Sequence, residues 1–148
     1  MRIVALLTLL GAAACRAEAV FGNWKMNAAR STFTGDSQLR SFTVRIEPHA
    51  KGEVFTTDRI EADGRATSSS TILYFDGAPR DFRDFDCSGT QSSRRLDDQT
   101  VEILRKCAGG EWTRIVRRSA RPPKELILDI TEQNNGRRSE RRLVLEKQ

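Results

Sequence analysis

Histidine is almost missing from this chain of 148 residues: His49 is the single one, beside Pro48 at the end of a strand-like run. That scarcity excludes His-rich metal spacing, and a histidine in a turn is ordinarily solvated surface. There is also no nucleophile elbow and no phosphate-cradling glycine loop. Asp81, Asp84, Asp86, Asp97 and Asp98 fall in loops and hairpin turns, where carboxylates are usually solvated, so no reaction is assigned and no cofactor or metal is expected. Aromatics suited to stacking bases are not evident and the formal charge of +5 is modest, which disfavours nucleic acid as a partner. No long apolar stretch repeats at helical period, which argues against helices throughout.

The one concentrated apolar run, Ile3 to Leu10, is broken only by Thr8 and is too short to span a bilayer. With Arg2 before it and Ala17-Glu18-Ala19 after it, residues 1–19 read as an export signal cut after Ala19. Ala12-Ala13-Ala14-Cys15 leaves a second reading open, a lipoprotein tethered through Cys15, although the usual Leu is replaced by Ala12. The expected location is the periplasm or the extracellular space. Cutting after Ala19 leaves residues 20–148, one domain's worth of chain, and loss of Arg2, Arg16 and Glu18 lowers the formal charge from +5 to +4. Removal of Cys15 leaves an even pair, Cys87 and Cys107, enclosing 19 residues, and in an oxidising compartment a disulfide is expected. Two buried free thiols are the alternative.

Short runs of alternating polarity separated by turn residues predict an all-β chain. Phe42, Val44 and Ile46 alternate with Thr43, Arg45 and Glu47 before Pro48 is expected to stop the strand. Val54 to Ile60 reads as a second strand, and Asp63-Gly64 and Asp76-Gly77 bracket a third in Thr67 to Phe75. Residues 78–92 read as a loop running into a short strand. A hairpin about Asp97-Asp98-Gln99 then joins Ser92–Leu96 to Thr100–Lys106, and its register brings the two cysteines near each other, allowing a bulge or a small error in the turn. Strands follow at Glu111–Arg118, Glu125–Thr131 and Ser139–Glu146, with Pro122-Pro123 interrupting the first two and Asn134-Asn135-Gly136 turning between the last two. About eight to ten strands with short turns fit a single up-and-down antiparallel barrel, with an open two-sheet sandwich as the alternative.

Phe21-Gly22-Asn23-Trp24-Lys25-Met26-Asn27 opens the mature chain, and scattered matches continue through Asp63-Gly64-Arg65, Arg95-Leu96-Asp97-Asp98 and Leu145-Glu146-Lys147-Gln148. In this the chain resembles bacterial exported lipocalin-like proteins, small calycin-type barrels that begin Gly-x-Trp-Lys-x-Asn. The resemblance implies a lipocalin-like barrel in which Arg141 or Arg142 covers Trp24. It also implies that the carboxylate-gripping Arg-x-Tyr of the fatty-acid-binding branch is absent, because Leu143 and Leu145 stand at those places. Pro79, the cysteine pair and Pro122-Pro123 depart from the pattern.

The expected function is non-catalytic binding of a small apolar or amphipathic molecule inside a monomeric barrel. Candidate contacts are Trp24, Tyr74, Phe82, Phe85, Trp112, Leu143 and Leu145. The alternative is an envelope protein-interaction or anionic-surface-binding module with a solid core, using a basic patch of Arg114, Arg117, Arg118, Arg138 and Arg142.

Overall fold

The alternation that marks the strands also curls them into a barrel: one face of each strand is apolar, and the sheet closes round to bury it. The computed structural model describes residues 20–35, 37–120 and 124–148, so residues 1–19, expected to be an export signal, with Cys15 among them, and Arg121 and Pro122-Pro123 lie outside the described residues. In chain order the strands are β1 (Gly22–Met26), β2 (Thr32–Phe33), β3 (Leu39–His49), β4 (Gly52–Glu61), β5 (Ala66–Leu73) and β6 (Arg80–Arg83). They continue with β7 (Ser88–Arg95), β8 (Thr100–Cys107), β9 (Trp112–Ala120), β10 (Glu125–Asn134) and β11 (Arg137–Lys147). One turn of 3-10 helix, Ala28–Arg30, is the only helix among the described residues.

Pairing is antiparallel throughout, in the order β5-β4-β3-β1-β11-β10-β9-β8-β7-β6, with β2 added on β11. The first and last strands close the barrel, with Trp24 opposite Lys147 and Met26 opposite Leu145. Between β5 and β6 the ladder is interrupted, and side chains bridge the seam: Gln91 Nε2 donates to Thr71 Oγ1 at 2.9 Å and the Phe75 N–H to Ser93 Oγ at 3.0 Å. The result is a nearly closed barrel, all-β as expected.

Two local expectations are corrected. Strand β3 runs through Pro48, which pairs with Glu53; its partner β1 ends opposite Ile46, so the missing N–H falls beyond that ladder. The stretch read as a loop contains β6, whose four residues carry one inward apolar side chain, Phe82, too little alternation to register as a strand.

Inside the barrel the two ends differ. Towards the end bearing the 49–52 and 96–99 turns, Ile46, Phe55, Leu73, Ile103, Leu126, Leu128, Leu143 and Leu145 are fully buried and in mutual contact. Trp24, 2% exposed, joins this cluster and donates its indole N–H to the Val20 carbonyl at 2.9 Å. Gly22 has φ +127°, a left-handed conformation that admits the strand at this point. The ring of Trp24 is covered by Lys147, whose Nζ lies 5.5 Å from its centroid, rather than by Arg141 or Arg142. The reason is register and parity: Lys147 is the residue directly opposite Trp24, Arg142 has the other parity and points outward to Asp129, and Arg141, though inward, lies further along the strand beside Phe33.

Candidate functional site

At the opposite end, under the 61–66, 84–87 and 107–111 turns, the inward rows change from aliphatic to polar and charged. Successive inward residues on β4 are Phe55, Thr57, Arg59 and Glu61; on β8 they are Val101, Ile103, Arg105 and Cys107. The charged members stop the core from filling this half, because burying a guanidinium without partners is costly. A cavity of about 370 Å³ results. Its apolar floor is Phe42, Ile115 and Ile130; Thr57, Thr67, Ser69 and Thr113 supply polar wall, and Phe85, Trp112 and the two cysteines stand near its rim.

Three inward arginines dominate the wall. Arg59 is held by several partners: it reaches Glu61 at 3.0 Å, Asp86 at 2.7 Å and the Thr67 hydroxyl at 2.8 Å, with Glu132 at 3.8 Å from its remaining nitrogen. Arg105 donates from Nε to Gln91 Oε1 at 2.9 Å, but its nearest carboxylate, Asp84, is 3.9 Å away. Among the described residues Arg141 has only Glu132 as an acidic neighbour, at 3.6 Å, beyond hydrogen-bond reach. Arg105 Nη2, Arg141 Nε and Nη1, and Ser69 Oγ are buried with no hydrogen-bond partner among the described residues, and all four atoms belong to residues lining the cavity. Burial, the largest influence, pushes Arg105 down to about 10, so it remains charged at neutral pH while carrying a desolvation penalty. A ligand group accepting from these N–H donors would remove part of that penalty.

The rim is fixed covalently. Cys87 and Cys107 form the expected disulfide, with Cα atoms 5.2 Å apart. Gly89 sits opposite Cys107, and a Cβ there would lie 1.9 Å from the Lys106 carbonyl oxygen, so only glycine permits the approach that brings the cysteines together. Asp84 Oδ1 accepts from the N–H groups of Asp86 and Cys87, shaping the loop that carries Phe85 over the rim. Replacing both cysteines with Ala is expected to cost roughly 3 kcal/mol on the loop-closure argument. Denaturant midpoints check this, and an unchanged midpoint would contradict it.

Of the seven residues anticipated as ligand contacts, Phe85 and Trp112 line the cavity. Trp24, Leu143 and Leu145 lie in the packed half. Tyr74 lies outside the lining with the Arg80 guanidinium 3.8 Å from its ring, and Phe82 is buried beneath Arg105. In the basic patch, Arg117 is a correction: its odd position on β9 turns it inward, where it bonds Glu53 at 2.8 Å. Arg114, Arg118 and Arg142 share the outer face of β9 to β11 but are tied to acids, Arg114 to Glu102 and the other two to Asp129; Arg138 pairs with Glu140. Sequence reading missed Arg59, Arg105 and Glu132, and set Arg141 against Trp24 rather than in the cavity wall. Strand parity was the available signal, since Arg141 shares a face with Leu143 and Leu145.

The outer charges predict one pH effect. Burial pushes Glu102 up, but hydrogen bonds from Arg94 and Arg114 outweigh it and hold the carboxyl below its ordinary range. A depressed folded pKa means the stabilisation is present above the unfolded value and is lost as pH falls through the folded one. Carboxyl NMR should place the Glu102 midpoint below that of an Arg94→Gln, Arg114→Gln variant; equal midpoints would contradict the pairing.

No family model matches the chain, and no curated protein sequence matches it. Solved structures do. Zebrafish ileal bile acid-binding protein complexed with cholic acid aligns with a TM-score of 0.51 at 10% identity, over 88% of this chain and 99% of that one. A Schistosoma mansoni fatty acid-binding protein in complex with arachidonic acid gives 0.53 at 12% identity, over 88% and 96%. At such identities the likeness shows the fold alone: an all-β, nearly closed antiparallel barrel like theirs.

Proposed function

We propose that the chain is a non-catalytic container that holds one small amphipathic molecule in the open half of its barrel. The observation that carries the reading is the 370 Å³ cavity with an apolar floor and unpartnered guanidinium N–H groups in its wall. The bile acid-binding and fatty acid-binding proteins to which the barrel is similar each hold such a molecule, cholic acid and arachidonic acid, which supports the same class of activity. Export through residues 1–19 would put this binding in the periplasm or outside the cell, with the Cys15-tethered form as the variant of that reading. Native mass spectrometry of protein isolated from cells that make it tests the proposal. A nonprotein mass lost on denaturation is the expected result. A protein that arrives empty and also stays empty when offered anilinonaphthalene sulfonate would overturn it.

A further inference from the structure

The charges of the cavity nearly cancel, and they do so at distances that leave hydrogen bonds unmade. Among the described residues four guanidiniums line it, Arg59, Arg65, Arg105 and Arg141, against five carboxylates, Glu61, Asp84, Asp86, Glu111 and Glu132. Arg59 meets Glu61 and Asp86 directly, and Arg65 lies 3.5 Å from the same Asp86. The two most buried arginines are placed otherwise. Arg105, 11% exposed, has Asp84 at 3.9 Å, and Arg141, 9% exposed, has Glu132 at 3.6 Å. These carboxylates are close enough to offset charge and too far away to accept a hydrogen bond. Glu132 also acts on Arg105 by charge. Arg105 Nη2 and Arg141 Nε and Nη1 are consequently buried donors that lack an acceptor rather than a counter-charge. The fifth carboxylate, Glu111, pairs with no cation among the described residues. It folds back over Gly109 at the rim, where a Cβ added to that glycine would stand 2.6 Å from its Oε2.

We propose that the cavity selects an uncharged ligand whose buried end carries an acceptor oxygen, as in an ester, lactone, ketone or amide, and that Glu111 is the residue that disfavours acids. This rests on the container reading and deepens it. A neutral carbonyl entering beside Arg105 and Arg141 supplies the missing acceptor and leaves every existing ion pair in place. A carboxylate would make stronger bonds to the same guanidiniums, but it would first have to shed its water. It would then lie close to Glu132 and Asp84, in a lining that already holds one negative charge more than its arginines offset. Like charges at such spacing in a water-poor site repel strongly, so the neutral acceptor is the better complement. Glu111 supplies the unbalanced charge, while Trp112 and Phe85 at the same rim offer apolar surface to the rest of the ligand.

The test uses the full chain with its disulfide intact and three fluorescent probes built on one ring system. They are a dimethylaminonaphthoic acid, anionic at neutral pH, its uncharged methyl ester, and dimethylaminonaphthalene, the same rings without an acceptor oxygen. The ester is expected to bind about tenfold more tightly than the acid and several-fold more tightly than the bare rings. Arg105→Met and Arg141→Met should each bring the ester towards the affinity of the bare rings, and Arg114→Gln on the outer face should change none of the three. Glu111→Gln should tighten the acid several-fold and leave the ester unchanged. That split is the signature, because a merely structural Glu111 would move both together. Anilinonaphthalene sulfonate, an anion whose rings still favour the cavity, should likewise bind Glu111→Gln more tightly than the unaltered chain.

An acid bound as tightly as its ester would overturn the selection of uncharged ligands while leaving the container reading standing, and this comparison needs only the unaltered chain. Equal affinity for the ester and the bare rings would overturn the role of the acceptor oxygen. Glu111→Gln shifting ester and acid equally, or shifting neither, would overturn the role of Glu111. Failure of all three probes and of the sulfonate to bind would defeat the container reading and this inference with it.

Discussion

Glu53→Gln is expected to be among the most damaging single substitutions in this chain, lowering stability by about 3–5 kcal/mol, because it leaves a buried guanidinium without its counter-charge. Glu53 and Arg117 are 3% and 4% exposed and meet at 2.8 Å in the packed end of the barrel. Burial pushes the Arg117 pKa down, and Glu53 opposes that by charge and by hydrogen bond. Even with the pair intact, Arg117 Nη1 has no acceptor among the described residues, so losing Glu53 adds to an existing shortfall. Arg117→Met should cost less, since Glu53 keeps Arg95 at 3.7 Å and that side chain is half in solvent. The Glu53→Leu, Arg117→Met double variant should recover much of the Glu53→Gln loss, because two apolar side chains leave no orphaned charge. Urea midpoints decide it; strictly additive losses would show that the two residues do not stabilise one another.

Trp24→Ala should cost about 3–5 kcal/mol, the range for removing a large aromatic from a packed core. The indole is 2% exposed, contacts the aliphatic cluster, bonds the Val20 carbonyl and lies under Lys147. Its position also matters for closure, since β1 is the strand that joins β3 to β11. A loss near zero would mean that the neighbouring side chains collapse into the space without cost. Trp24→Phe, which keeps most of the apolar volume and loses the N–H, should fall well short of the alanine loss.

The sequence announces strands better than it announces what they enclose. Alternation at Phe42-Val44-Ile46 and at Leu126-Leu128-Ile130 marks both an element and its buried face, and Asp63-Gly64 marks a turn, so the strands were legible from local pattern, while closure into a barrel rather than a two-sheet sandwich depends on the pairing of β1 with β11, which local pattern does not carry. Strand β6 was not, because Arg80-Asp81-Phe82-Arg83 owes its strand form to pairing with β7. The disulfide was legible because the Leu96–Thr100 hairpin fixes the register that brings Cys87 to Cys107. The cavity was not. Arg59, Arg105 and Arg141 carry charge, and charge reads as solvent exposure; only their shared parity with Phe55, Ile103 and Leu143 shows that they point inward. The opposite error put Arg117 on the surface. An aromatic residue marks core as readily as it marks a ligand contact, as Trp24 shows, and the polar half of the barrel is built from residue types that ordinarily face solvent.

The central claim is that the barrel holds its ligand in one half only, and methyl and guanidinium NMR during titration with anilinonaphthalene sulfonate tests it most directly. Saturable shifts at Ile115, Ile130, Arg105 and Arg141, with Leu126, Leu128 and Leu145 unmoved, are the expected result. Shifts confined to Arg114, Arg118 and Arg142 on the outer face would contradict it.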